Sequence, residues 1–220
     1  AILTLLEADA GRVLYVDLDA HHGDGVQEAF FDDDRVTTVS VHEEKRWPYS
    51  GTHSYPEAGA LNIAVPRGFN DSELEFVLEE ALLPLAGHFD ALVLCCGADC
   101  LGGDPLSGME LTNTALWDAV ECLVELALPT VVLGGGGYNP WTLARYWAGL
   151  WGRLSGQAIP AILPDEAVAL LSSLECDLVD EEDIHPDWTT RMADTPYPGP
   201  VRELLKSRVG AVDWRDSGRH

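Results

Sequence analysis

The chain contains 220 residues, of which 46% are hydrophobic, and it carries 37 acidic against 13 basic side chains for a formal net charge of −24. A negative field of this size favours cationic partners and disfavours nucleic acid and anionic membranes, so no nucleic-acid contact is expected. The chain has no apolar run of about 18 residues that could cross a membrane, and its first residues lack the basic region of a secretory signal.

Strands and helices are predicted to alternate along most of the chain. An apolar-faced helix at residues 2–6 leads into a strand at residues 13–16. Further strands are predicted at 35–42, 61–65, 91–96 and 129–133. Helices are predicted at 23–31, at 72–86 with Asn70 or Asp71 as cap, at 111–126 with a cap near Thr112, and at 140–154. Residues 43–59 are predicted to form a long surface loop.

This alternation favours an α/β fold with a largely parallel sheet. Ligands of such sheets bind outside the carboxyl ends of the strands. Unusual polar residues follow three predicted strands at that edge: Asp17, Asp19 and His21 after the first, Asp99 after the fourth, and Tyr138 after the fifth. Residues 1–155 are predicted to belong to this domain. Residues 156–220 are predicted to be a C-terminal extension packed on it, with short helices near 166–171 and 201–206.

The string V-D-L-D-A-H-H-G-D-G at residues 16–25 predicts a metal site. If the strand continues to His21, its pleat puts Asp17, Asp19 and His21 on one face. Such a group is costly to bury unless a cation lies among its members. Asp19 and His21 are the candidate ligands, with Asp99 as the third. Three protein ligands suit a catalytic zinc ion, and this oxygen-rich set also suits Fe²⁺.

Several smaller signals are interpreted as structural. The glycine run before Tyr138 is predicted to be a tight turn, because no Lys-Ser or Lys-Thr follows it as in a phosphate loop. Asp104 is expected to fix its loop, and His22 to pack beside His21. Four tryptophans on helical patterns are predicted to lie in the core: Trp117, Trp141, Trp147 and Trp151. The five cysteines include no C-x-x-C pair, which is typical of a reduced, cytoplasmic protein.

Four motifs occur in order along the chain: D-L-D-A-H-H-G-D-G, V-S-V-H, C-G-A-D-C-L-G-G-D-P-L and G-G-G-G-Y. Over residues 12–152 they resemble the histone deacetylase family, and most of all its bacterial acetoin-utilisation branch. The resemblance implies the three-layer arginase/deacetylase fold, incomplete at the N-terminus. It also implies a zinc-dependent amidohydrolase that removes acetyl groups from acetyl-lysine or a related acetylated amine.

The resemblance also implies roles for individual residues. Asp19, His21 and Asp99 would bind zinc, and Tyr138 would stabilise the oxyanion. Asp17 and Asp24 would each orient a catalytic histidine. A structural potassium ion beneath the zinc would be held by Asp17, Asp19 and His21 through backbone oxygens, with Ser40 and Val41. The substrate tunnel would include Tyr49 in its wall and Leu106 at its mouth.

The chain departs from the family pattern in one important respect. The family uses a tandem histidine pair, upstream of the first motif, as general base and acid. The one His-His pair here is His21–His22, so we expect an N-terminally truncated chain that lacks the proton shuttle. A non-catalytic binding module therefore remains an alternative. An arginase-like enzyme with two manganese ions is another, although position 101, where it needs a carboxylate, is Leu101. The physiological substrate, native metal and oligomeric state stay open.

Overall fold

Five parallel strands form the centre of the fold. The computed structural model describes residues 1–126 and 128–214, and within them the strand order is β3-β2-β1-β4-β5. Every neighbouring pair is parallel, which confirms the predicted sheet. The strands are β1 (Val13–Asp17), β2 (Val36–Glu43), β3 (Ala60–Val65), β4 (Ala91–Cys96) and β5 (Thr130–Gly134).

Helices and short turns connect the strands. The helix predicted at 72–86 is divided by a π-turn at Leu78–Leu82, since Pro84 supplies no N–H to a regular helix. No helix in the described part of the chain is long and apolar enough to cross a membrane. The α-helices are α1 (Ile2–Glu7), α2 (Asp24–Ala29), α3 (Asp71–Val77), α4 (Leu83–Ala86), α5 (Asn113–Val124), α6 (Pro140–Leu154), α7 (Asp165–Ser172) and α8 (Glu203–Gly210).

Helices cover both faces of the sheet, so the fold has three layers. Leu14 and Val16 of β1 point into the larger apolar cluster, to which α3, α5, α6 and α8 contribute. Val13 and Tyr15 point to the other face, where α1 and α2 pack. This alternation of buried side chains is expected for a parallel sheet that is covered on both faces.

The strand order changes direction beside β1. The chain builds β1, β2 and β3 toward one edge of the sheet and then crosses to β4 and β5 on the other side. The carboxyl ends of β1 and β4 therefore flank the topological switch point, where open α/β sheets bind their ligands. Asp17 and Cys95 are register partners at this place.

Side-chain caps determine where the helices near this edge begin. Asn70 and Glu73 form a capping box at the start of α3. The Thr112 hydroxyl accepts a hydrogen bond from the Ala115 N–H at 3.2 Å at the start of α5. These contacts confirm the predicted caps at Asn70 and Thr112. Asn139 caps α6, directly after Tyr138.

The segment after α6 packs back on the domain through a buried ion pair. The Arg145 guanidinium, only 1% exposed, donates to the Asp194 carboxylate at 2.5 Å and to the Arg191 carbonyl at 2.7 Å. Leu205 and Val209 of α8 join the main apolar cluster. The division between 1–155 and 156–220 stays a prediction, and residues 215–220 of the predicted extension lie outside the described residues.

The predicted burial of Trp151 is wrong. Trp117 and Trp141 are buried, but Trp151 is 74% exposed. Tyr146 and Leu150 of α6 face the apolar cluster, and Trp151 lies on the opposite side of the helix. Apolar residues of a helix indicate the core only when they share its buried stripe.

We expect the substitution Gly149→Ala to destabilise the fold. A Cβ at residue 149 would overlap the buried ring of Trp117, whose indole N–H donates to the Tyr146 carbonyl at 2.9 Å. Because this ring is held in place, the overpacking should lower the free energy of unfolding by about 1–3 kcal/mol, measured by urea denaturation. Gly210→Ala is the control, since a Cβ there meets nothing within 4 Å. Equal stability of the two variants would contradict the prediction.

Candidate metal centre

The loop after β1 bends at once and carries Asp19 and His21. The Asp19 N–H donates to the Asp17 carboxylate at 3.1 Å, and the His21 N–H donates to the Asp19 carboxylate at 2.9 Å. The strand does not continue to His21, because β1 ends at Asp17, close to the predicted end at residue 16. Carboxylates that accept a hydrogen bond from the N–H two residues later favour turns over extended strands.

Asp99 meets these residues from a 3₁₀ turn, Ala98–Cys100, that follows β4. Its side chain is fully buried and accepts a hydrogen bond from the Ala20 N–H at 2.9 Å. Nδ1 of His21 lies 2.9 Å from the Asp99 carboxylate and 3.2 Å from that of Asp19. The two neighbouring strand ends thus bring together the three residues that were predicted as ligands.

The glycine run after β5 closes the site from a third strand end. The Gly136 N–H donates to the Asp19 carboxylate at 2.6 Å, and the Gly136 carbonyl accepts from the Ala98 N–H at 2.7 Å. A Cβ on Gly135 would overlap the Asp19 carboxylate, and one on Gly136 would overlap that of Asp99. Glycine is therefore required here for the close approach of the backbone.

The two carboxylates compete for positive charge. Burial, and then the nearby charge of Asp19, raise the pKa of Asp99 to about 6, although its hydrogen bond with His21 acts in the opposite direction. Burial also disfavours the charged form of Asp19, but hydrogen bonds from His21 and Gly136 outweigh it and lower the pKa. Hydrogen bonds to both carboxylates raise the pKa of His21 to about 10. The group therefore favours a positive charge, either a proton or a metal ion.

The same three residues could hold one metal ion. Ligand atoms of Asp19, His21 and Asp99 all lie within 4.8 Å of one another. Within residues 1–126 and 128–214 this is the one group of three His, Cys, Asp or Glu side chains so arranged. Two carboxylates and an imidazole match a catalytic zinc site, in which three protein ligands leave a position for water or substrate. Fe²⁺ is also compatible with this oxygen-rich set.

A cleft of about 500 Å³ opens onto Asp19 and His21 of this group. The ring of Tyr138 stands nearly perpendicular to that of His21, with the centroids 6.5 Å apart. Burial, and then the charges of Asp99 and Asp19, raise the pKa of Tyr138, so the phenol remains a hydrogen-bond donor at neutral pH. The cleft is lined by Asp19, His21, Lys45, Arg46, Trp47, Tyr49, Pro105, Leu106 and Tyr138, which include both predicted tunnel residues.

Asp104 ties the loop that carries Leu106 to Tyr138. Its carboxylate accepts hydrogen bonds from the Tyr138 N–H at 2.7 Å and from the Leu106 N–H at 2.9 Å. This geometry agrees with the loop-fixing role that the sequence predicts. Gly103, with φ of 85°, packs against the ring of Trp188, which a Cβ would overlap. Trp188 was not predicted near the site, because no local pattern links it to this loop.

The other predicted residues surround the metal ligands without joining them. The Asp17 carboxylate accepts a hydrogen bond from the Tyr15 hydroxyl at 2.7 Å, and burial raises the pKa of Asp17 to about 7. Ser40 is the register partner of Asp17 on β2, and Val41 follows it. Asp24, the first residue of α2, lines a separate cleft of about 340 Å³. The roles assigned to these residues stay predictions.

His22 does not pack beside His21, and that expectation is wrong. The His22 ring lies 4.7 Å from the ring of His42 and forms a hydrogen bond with the Ser50 hydroxyl at 2.8 Å. Gly51, with φ of 73°, lies so close that a Cβ would overlap both rings. The two buried histidines thus hold the loop that forms one wall of the cleft.

A three-layer parallel sheet with an Asp-His-Asp group at its carboxyl edge defines an α/β protein of the arginase/deacetylase type with a candidate metal centre. In comparisons with known families, the histone deacetylase domain matches residues 1–154. The chain therefore belongs to the histone deacetylase family, as its motifs predict. The narrower resemblance to the acetoin-utilisation branch stays a prediction.

Individual relatives agree with this assignment. Histone deacetylase 8 of Xenopus laevis is 34% identical over 163 residues, which are 70% of this chain and 50% of that protein. The crystal structure of an HDAC homolog from Aquifex aeolicus has a TM-score of 0.88 and 36% identity, covering 96% of this chain and 59% of that one. An HDAC homolog complexed with SAHA has a TM-score of 0.85 and 35% identity, with the same coverage. The chain thus spans about half the length of its curated relative.

We expect Asp99→Ala to abolish zinc binding at this site. The change removes one of the three ligands and breaks the contact between Nδ1 of His21 and the Asp99 carboxylate, so that His21 keeps only its longer contact with Asp19. Zinc content after dialysis, measured by mass spectrometry, is the readout. Asp104→Asn is the matched control, because Asp104 is a buried loop carboxylate outside the ligand group. Unchanged zinc content in Asp99→Ala would reject the ligand assignment.

Proposed function

We propose that the chain provides the metal centre of a zinc-dependent amidohydrolase that removes acetyl groups from acetyl-lysine or a related acetylated amine. The observation that carries the proposal is the position of Tyr138 beside the Asp19, His21 and Asp99 group in one cleft. Membership of the histone deacetylase family supports the same activity.

The candidate metal ligands, Tyr138 and Asp104 each have a chemical task in this proposal. Asp19, His21 and Asp99 would hold zinc, which when bound polarises a carbonyl oxygen and lowers the pKa of a water molecule. The Tyr138 phenol would donate a hydrogen bond to the acyl oxygen as negative charge develops there. Asp104 holds the backbone N–H of Tyr138, so this donor is positioned before the substrate arrives.

We further propose supporting roles for the residues around the centre. Asp17 and Asp24 would each orient a catalytic histidine of the complete enzyme. A structural potassium ion would bind backbone oxygens at the ends of β1 and β2, and the register pairing of Asp17 with Ser40 is compatible with this. All five cysteines are free thiols, which supports a cytoplasmic location. The oxygens assigned to potassium belong to Asp17, Asp19, His21, Ser40 and Val41.

We expect one catalytic metal ion per chain, which distinguishes this proposal from an arginase-like enzyme. A second ion would need a carboxylate two residues after Asp99, but Leu101 is there, buried and bridged to the Leu111 backbone. Metal content should be measured after loading with zinc and, separately, with manganese. Two manganese ions per chain would favour the arginase-like alternative.

We expect Tyr138→Phe, in the complete natural polypeptide, to lower kcat for an acetyl-lysine peptide by about 10²- to 10³-fold, because an oxyanion donor is lost. Zinc content should stay unchanged, since Tyr138 is not among the three ligands. Tyr197→Phe is the matched control, as it removes an exposed phenol that lies outside this cleft. Turnover by Tyr138→Phe equal to that of the wild type would reject the proposed role.

A further inference from the structure

The mouth of the cleft differs in charge from the rest of the chain. Acidic side chains outnumber basic ones by 37 to 13 overall, yet adjacent Lys45 and Arg46 both line the cleft. Asp19 is the one carboxylate among the described residues of its lining, and it is a candidate metal ligand. The local field that a substrate meets at the entrance is therefore set by these two cations and their partners.

Arg46 is neutralised by a buried carboxylate. Its guanidinium donates to Glu43 through two nitrogens, at 2.8 and 2.9 Å. The side chain of Glu43 is 5% exposed and also accepts a hydrogen bond from the Gly108 N–H at 2.7 Å. Glu43 thus joins the two walls of the cleft, and Arg46 is engaged in that link rather than available to a substrate.

Lys45 is not neutralised in this way. The neighbouring Glu44 is paired with Arg208 at 2.7 Å, and this guanidinium holds the pKa of Glu44 below its usual value. The Lys45 ammonium lies 3.7 Å from the same carboxylate, and its side chain is 86% exposed. Such a long, exposed contact contributes little. Glu43 is neutralised by Arg46, and Glu44 by Arg208. Among these five charged side chains, Lys45 is therefore the one whose positive charge is not balanced by a close carboxylate.

The backbone fixes where the Lys45 side chain leaves the chain at the entrance. Lys45 has φ of 60° and Tyr49 has φ of 64°, both in the left-handed region that non-glycine residues rarely occupy. The exposed side chains of Trp47 and Leu106 line the same cleft as Lys45. An aliphatic stem could pass between these apolar groups while a polar neighbour on the substrate met the ammonium.

We propose that Lys45 selects acetylated amines with a carboxylate close to the acetylated side chain, such as acetyl-lysine flanked by acidic residues, over those flanked by cations. This inference rests on the proposed deacetylase function and specifies its substrate class. It reverses the expectation from net charge that cationic substrates are preferred.

The test compares two acetyl-lysine peptides that are identical except for two flanking aspartates or two flanking arginines. Binding is measured by fluorescence anisotropy with the complete, zinc-loaded protein carrying Tyr138→Phe, and turnover of both peptides is measured with the wild type. At low salt the acidic peptide should bind about two- to fivefold more tightly. The preference should decline as salt is added, because the contact is exposed.

Two substitutions locate the effect. Lys45→Met keeps the aliphatic stem and should remove the preference, whereas Lys206→Met on α8, an exposed lysine outside the cleft, should retain it. Equal binding of the two peptides, or a preference that Lys45→Met leaves intact, would overturn the inference about Lys45. Deacetylation of both peptides by the wild type would still support the proposed deacetylase function in that case. If the wild type deacetylated neither peptide, the proposed function itself would fail.

Discussion

Two neighbouring carboxylates, the fully buried Asp99 and the largely buried Asp19, determine the arrangement of the site. Asp19 and Asp99 follow β1 and β4, and their burial costs free energy unless donors or a cation compensate. The Ala20 N–H, the Gly136 N–H and the His21 ring supply part of this compensation. Because these donors come from the loops after β1 and β5, the two side chains hold three strand ends together, and a metal ion would complete the balance of charge.

The position of Tyr138, the candidate oxyanion donor, follows from the same need to compensate the two carboxylates. A backbone N–H reaches the Asp19 carboxylate only where no side chain intervenes, and a Cβ on Gly97, Gly135 or Gly136 would overlap one of the carboxylates. The hydrogen bond from Gly136 therefore fixes the chain two residues before Tyr138. Asp104 then accepts from the Tyr138 N–H and holds the other side of this turn.

The parallel sheet and the residues that gather at its edge could be predicted from the sequence, because apolar strands and strand-end polar residues are local patterns. Asp19, His21 and Asp99 come together as predicted, but by turns rather than by a strand pleat. The packing of His22 on His42 was not predictable, since it depends on residues that are close only in the folded chain. The contact between Trp188 and Gly103 is of the same kind, and the exposure of Trp151 depends on which side of α6 is covered.

Net charge is a weak guide to what this cleft accepts. At physiological ionic strength the field of an exposed charge is screened within about 8 Å, so carboxylates elsewhere on the surface contribute little at the entrance. The nearby charges are arranged in pairs: Glu43 with Arg46, and Glu44 with Arg208. This pairing leaves Lys45 only its long, exposed contact with Glu44 at 3.7 Å. A strongly acidic protein can therefore present a cation at its cleft. The ion pairs near the entrance, and not the net charge of the chain, determine the sign of the charge that a substrate meets there.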